Sequence, residues 1–210
     1  MISDGVISLI VIAGGVVFIT FAQLARRRAV AERGGSLRTS AGLPQLVTYF
    51  FWVPYAVVAL RLGPNIALDP LVRLVGAAVS ILGVALSIWS IVTLGRHYDL
   101  VLEVHAGHQL IRSGPFSWVR HPVYTGLALH FLGTCLATGN ALLLIGTLLV
   151  TFPAFYARAR AEERLLREQF GSEYDRYMEE VPMLVPGLRA SLGAMRSRGT
   201  NEHRPPRRRS

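Results

Sequence analysis

The residues best placed to do chemistry stand in "SGPFSWVRHPVYTG", Ser113 to Gly126, where Arg120 and His121 directly precede Pro122 and a new apolar run. A proline at the first helical position is preorganised and loses no needed donor. The helix amino end that follows offers N–H groups and a positive dipole end to an anion. Arg120 and His121 add donors beside it. Such an arrangement can hold a carboxylate or a phosphate. It can equally be an Arg marking a membrane interface beside a His that caps a helix.

A second polar cluster is "ARARAEER", Ala157 to Arg164. Arg158 and Glu162 are four apart and share a helix face, with Glu163 about 100° further round. Glu162 could bind an ammonium group or lie near a sulfonium. The same residues could also form an ordinary Arg–Glu pair on a solvated helix, worth a few tenths of a kcal/mol. A third stretch, "EVHAGHQLIRSG", offers His105 and His108, which with His121, Asp99 and Glu103 could form a metal site, but no zinc-ligand spacing is present and no metal is expected. The alternation in "LVLEVHAGHQLI" permits a short strand or an extended lid. With no GxGxxG or P-loop signature, a soluble dinucleotide or nucleotide fold is not expected.

These clusters must be positioned by an unusually apolar chain. Of its 210 residues 51% are hydrophobic and 17% charged, and the mean hydropathy is +0.40. That balance fits an all-α integral membrane protein better than a soluble core. Five apolar runs can be read, at about 6–24, 46–62, 71–94, 123–137 and 141–157. The first approaches the ~20 residues that cross a hydrocarbon core. No basic segment precedes it and Arg26-Arg27-Arg28 follows it, the reverse of a secretory leader.

In the second run Tyr49, Trp52 and Tyr55 suit either interfacial anchoring or packing, and Pro54 predicts a kink. In the third, Gly76, Ala77, Ser80, Gly83, Ser87 and Ser90 predict close helix contact. Thr138-Gly139-Asn140 reads as a tight hairpin turn, and Pro153 predicts another kink. Beyond Ala157 the pattern becomes amphipathic, with Leu165, Leu166, Phe170 and Tyr174 on one side and Gly171 as an interruption. Cys135, the only cysteine, lies in an apolar run and reads as packing.

The net charge of +9 comes from 22 basic residues, all Arg, and fits lipid head groups and topology better than nucleic acid. Five spans leave only Arg61 and Arg73 on one side. The positive-inside rule then puts the amino terminus outside, and the 26–44 loop, the 95–121 loop and the carboxyl end in the cytoplasm. The absence of Lys fits a GC-rich genome, and the expected setting is a prokaryotic cell membrane. Residues 1–94 form the first three spans, 95–190 a core with a cytoplasmic loop, two spans and an amphipathic helix, and 191–210 a basic, disordered tail.

The stretches "HQLIRSGPFSWVRHPVYTG" and "RARAEERLLREQFGSEYDRYMEEVPMLVPGL" together resemble the isoprenylcysteine carboxyl methyltransferase family, which is related more distantly to phospholipid N-methyltransferases. The likeness covers about Leu94 to Leu188. It implies an S-adenosylmethionine-dependent membrane methyltransferase with a lipophilic acceptor, a carboxylate of an isoprenylcysteine-like molecule or, as the alternative, a phospholipid amine. By matching motif positions it implies a cofactor pocket of His108, Gln109, Leu110, Ile111, Phe116, His121, Pro122, Val123, Tyr124 and Glu162. Arg158 falls where the family faces the acceptor, so Arg158 and His121 are the expected catalytic residues, with Arg120 and Glu163 second choices. Phe116 departs from the family's usual Tyr, losing a hydrogen bond but keeping an apolar wall. A sterol-type NADPH reductase or a non-catalytic membrane protein are the readings from other classes.

Overall fold

The computed structural model describes residues 4–32, 53–98 and 109–187. Among them the structure is helical, with no strand beyond an isolated Asn65–Asn140 bridge. Helix α1 is Asp4–Glu32, α2 Val53–Ala59, α3 Pro70–Leu94, α4 Pro122–Thr138, α5 Ala141–Gly146, α6 Phe152–Phe170 and α7 Ser172–Glu180. A π-helical turn, Thr147–Thr151, joins α5 to α6. Pro153 follows it, and a proline cannot donate to, and clashes with, the carbonyl four residues back, so a widened turn there accommodates it. Gly5–Glu32, Pro70–His97 and Ala141–Phe170 are long and apolar enough to cross a membrane. Their outer faces expose Leu9, Leu74, Leu82 and Leu149, as lipid contact requires.

The centre is the α3–α4 pair. A Cβ on Gly83 would meet Gly126 O at 2.4 Å, and one on Gly133 would meet Ser80 N at 2.4 Å. Gly76 likewise abuts Gly133 O and the Ala137 backbone. Rising positions on α3 meet falling ones on α4, so the helices run antiparallel with backbones in near contact. The small-residue stripe expected on α3 is therefore an interface, and Gly76, Ala77, Ser80, Gly83, Ser87 and Ser90 are all buried. Ser87 donates to Val123 O across it at 3.1 Å.

Inside this bundle lies a polar group that the apolar runs gave no hint of. His130 of α4 is fully buried, hydrogen-bonded through Nε2 to the Tyr55 hydroxyl at 2.7 Å and through Nδ1 to Ser80 Oγ at 2.8 Å. The Tyr55 ring lies against Gly15 of α1, where a Cβ would collide with it. Tyr55 is thus core packing and not an interfacial anchor. Pro54 sits in the first turn of α2, where proline is tolerated; Tyr49 and Trp52 lie outside the described residues.

At the end of α4 away from His121, the hairpin turn forms as expected. Gly139 adopts φ 66°, and Asn140 caps α5 by accepting from Leu143 N at 2.8 Å. The Asn140 amide also donates to Leu62 O, Ile66 N donates to Gly139 O, and Arg73 donates to Ala137 O. This stitching fixes the depth and rotation of α4, and hence the position of its other end. Cys135 is buried and packs in the apolar core, as read.

Candidate active site

The site end of α4 is held from both sides. A 3-10 turn at Gly114–Ser117 leads into it, and Trp118 packs edge-on against Trp89 of α3 at 5.2 Å. Beyond α7 the chain turns back as a strap. Arg120 N donates to Pro182 O and His121 N to Met183 O, while Thr125 Oγ1 donates to Leu184 O. The helix mouth is therefore less open than an isolated Arg-His-Pro suggests, because the two peptide N–H groups before Pro122 are spent on the strap.

His121 occupies the N-cap position, but its side chain makes no capping hydrogen bond. Its buried ring lies between two carboxylates of α6. Nδ1 is 3.8 Å from Glu162 Oε2, and Nε2 is 3.5 Å from Glu163 Oε1. Tyr124, one turn on, stacks with the imidazole at 5.8 Å between centroids. The Tyr124 hydroxyl donates to Glu162 Oε2 at 3.1 Å and accepts from Arg158 Nε at 2.8 Å. Phe155 stacks against Tyr124 at 5.9 Å.

Phe155, Arg158 and Glu162 lie three and four residues apart, so one face of α6 presents all three. Arg158 and Glu162 thus meet through a tyrosine from another helix, more than a solvated helix pair would do. Of the sequence-predicted residues, the structure brings His121, Tyr124, Arg158 and Glu162 into one group. Pro122 starts the helix, and Val123, like Phe155, packs against the apolar core around Leu127.

Other predicted residues are less central. Phe116 is buried, and its carbonyl accepts from the Tyr177 hydroxyl at 2.6 Å. Leu110 packs against the cluster of Tyr174, Tyr177 and Val181. Gln109 is exposed and Ile111 half-buried. His108 lies outside the described residues, as does most of the lid segment. Phe155 was missed; its spacing from Arg158 and Glu162 was the available signal.

Arg120 and Glu163 have a different place. The Arg120 side chain is 8% exposed and that of Glu163 3%. Arg120 Nε and one terminal nitrogen both reach Glu163 Oε1, at 2.8 and 2.5 Å. Its other terminal nitrogen donates to Met178 O at 3.2 Å and Val181 O at 2.5 Å. Arg120 therefore binds α6, the end of α7 and the strap, and it is not an open anion donor.

Under this clamp, burial pushes the phenols of Tyr174 and Tyr177 above their ordinary range, so both stay neutral. Arg112 lies over the Tyr177 ring at 5.1 Å and pairs with Glu180, closing the outer side.

A phospholipid methyltransferase family model matches residues 71–173, from α3 to the first residues of α7. The chain is similar to a probable protein-S-isoprenylcysteine O-methyltransferase of Oryza sativa subsp. indica, 33% identical over 117 residues, 55% of this chain and 61% of that one. It is also similar to the protein-S-isoprenylcysteine O-methyltransferase of Xenopus laevis, 28% identical over 140 residues, 66% and 48% of the two chains. Among solved structures it is similar to a eukaryotic intramembrane Ras methyltransferase, an isoprenylcysteine carboxyl methyltransferase. The TM-score is 0.53 at 28% identity, over 70% of this chain and 49% of that one. The chain spans less than two thirds of the length of these relatives. Over α3 to the start of α7 the chain is thus similar to phospholipid methyltransferases by family model, and to isoprenylcysteine carboxyl methyltransferases by sequence and by fold.

Proposed function

We propose that this protein is an integral membrane methyltransferase that moves a methyl group from S-adenosylmethionine to a carboxylate on a lipophilic, isoprenylcysteine-like acceptor. The observation that carries the proposal is the convergence of His121 and Tyr124 from α4 with Arg158 and Glu162 from α6. These residues fit the donor. Glu162 Oε2 and His121 Nδ1 are two acceptors 3.8 Å apart, close enough for one ammonium group to reach both. Tyr124 and Phe155 supply a flat apolar wall. S-adenosylmethionine, when bound, supplies an already activated methyl group.

The protein's part is then to bind, align and exclude water. Tyr124 holds Arg158 and Glu162 at a fixed separation through its single hydroxyl. Arg158 pairs with the acceptor carboxylate, which needs no general base. The cytoplasmic side supplies the donor and the bilayer the acceptor, with residues 95–190 as the methyltransferase core. The match of residues 71–173 to phospholipid methyltransferases favours one second reading, a lipid amine acceptor. An amine must be neutral to attack, and His121 or a glutamate would then take its proton.

Two measurements test this. S-adenosylhomocysteine should raise the unfolding temperature of the purified protein, and NADPH should not; saturation at 100 times Kd corresponds to about 2.7 kcal/mol. Absence of that shift in folded protein argues against the donor assignment. Radiolabelled methyl transfer into a total lipid extract should give a base-labile ester. A base-stable product would move the acceptor to an amine.

A further inference from the structure

The Arg120–Glu163 pair is buried beside the site without belonging to the hydrogen-bonded group at its centre. Burying two charges costs several kcal/mol per ion in desolvation, and well-packed apolar replacements of such pairs are often no less stable. Stability alone is therefore a poor reason for this pair. Its geometry supplies a better one. Both guanidinium bonds converge on Glu163 Oε1, and that same oxygen faces His121 Nε2 at 3.5 Å. Neither His121 Nε2 nor Glu163 Oε2 has a hydrogen-bond partner among the described residues.

We infer that Glu163, clamped by Arg120, is a positioning residue that keeps the His121 proton on Nε2 and turns the Nδ1 lone pair toward Glu162 as an acceptor for the donor's ammonium group. A neutral imidazole has one donor nitrogen and one acceptor nitrogen, and the tautomer follows what each faces. The carboxylate at Nε2 is nearer and almost fully buried; the one at Nδ1 is further away and its side chain is 36% exposed. A lone pair aimed at the buried carboxylate is the worse arrangement, because low dielectric strengthens the repulsion.

Everything else about the ring is already fixed. Its backbone N–H is bonded to Met183 O, and its plane is stacked on Tyr124. Glu163 faces the Nε2 side, held by Arg120 on Oε1 and with Arg160 3.9 Å from Oε2, while Glu162 faces the Nδ1 side and is joined through Tyr124 to Arg158. The remaining variable is which nitrogen carries the proton, and Glu163 sets it.

This inference rests on the reading of His121 as part of the donor pocket, and the test separates the two. ¹⁵N-histidine spectra of the protein in nanodiscs, with His121 assigned by His121→Gln, should show the neutral ring with Nε2 protonated and Nδ1 bare. The double variant Arg120→Met/Glu163→Leu removes both charges together. We expect it to fold, to show a substantial Nδ1–H population at His121, and to bind S-adenosylhomocysteine at least tenfold more weakly.

A purely structural pair predicts instead that a folded double variant keeps both the tautomer and an affinity within twofold of wild type. That result overturns the inference. If the double variant does not fold, the wild-type spectrum decides, an Nδ1–H His121 being the overturning outcome. Wild-type protein that shows the Nε2–H tautomer yet binds no S-adenosylhomocysteine leaves the positioning geometry standing and removes the proposed donor.

Discussion

A single hydroxyl joins the two charged residues of the candidate site. Tyr124 accepts from Arg158 and donates to Glu162, so Tyr124→Phe removes both bonds while keeping the ring that stacks on His121 and Phe155. A hydrogen bond to a charged group is worth about 1.5–3 kcal/mol. We expect Tyr124→Phe to weaken S-adenosylhomocysteine binding about tenfold or more with little change in unfolding temperature, read by calorimetric titration and a thermal scan. Unchanged affinity would remove the hydroxyl from the site.

The sequence carried this group well. Arg158 and Glu162 were visible as a helix-face pair, and His121 and Tyr124 as the start of an apolar helix. What it did not carry was the division of labour between neighbours. Arg120 and His121 are adjacent, as are Glu162 and Glu163, yet one member of each pair faces the open group and the other a closed clamp. That difference depends on the main-chain oxygens of the strap, which side-chain types do not reveal.

His130 was illegible for a similar reason. Its partners Tyr55 and Ser80 are 75 and 50 residues away. His130→Leu removes the ring that the Tyr55 hydroxyl and Ser80 Oγ share, leaving Ser80 the weaker contact to Thr134 Oγ1 at 3.4 Å. A lost intramolecular hydrogen bond costs about 0.5–1.5 kcal/mol. The unfolding temperature should fall by several degrees, and catalysis per folded molecule should change far less.

At the level of elements, the α3–α4 contact is the least forgiving feature. A side chain on Gly83 or Gly133 meets backbone atoms that have nowhere to move. Gly133→Val should therefore separate the helices and abolish folded, monodisperse protein in detergent, as size-exclusion chromatography would show. Gly146→Ala is the control, because nothing lies within 4 Å of its Cβ position. Alanine there should be neutral or slightly stabilising.

The stripe of small residues on α3 was readable because it repeats with helical spacing. Its partner on α4 was less so, since Gly126 and Gly133 are spaced among larger residues. Pro153 announced an irregularity, but the helix absorbs it as a π turn and continues, so the fifth apolar run and the amphipathic segment form one element up to Phe170. Gly171, with φ 52°, is where that element ends and α7 begins, as its sequence position suggested.

Across the whole molecule, both ends of α4 are tied by segments distant in sequence. One end is bound to residues 62–66 through Asn140 and Gly139, the other to residues 182–184 through Arg120, His121 and Thr125. The helix that carries the site is thus fixed in depth, in rotation and at its mouth. A chain truncated after Glu180 keeps α7 but loses the strap. We expect it to lose measurable S-adenosylhomocysteine binding while keeping its helical circular dichroism; retained affinity would show that α7 alone closes the site. Helical class and the apolar character of the chain were plain from composition. The closure by residues 181–184 was not, because a short apolar segment holding a proline carries no periodicity.

The strap touches Arg120, His121 and Thr125 through the carbonyl groups of Val181, Pro182, Met183 and Leu184. Main-chain oxygens are the same whatever side chain they accompany. This part of the protein therefore stores its information as length and not as lettering. Residues 182–184 can be exchanged for others that hold the same backbone path with little effect on the site. Inserting one residue between Glu180 and Pro182 moves every acceptor out of step with its donor at once. A family could drift freely in spelling here while being held strictly to count, and an insertion scan set beside a substitution scan would separate the two.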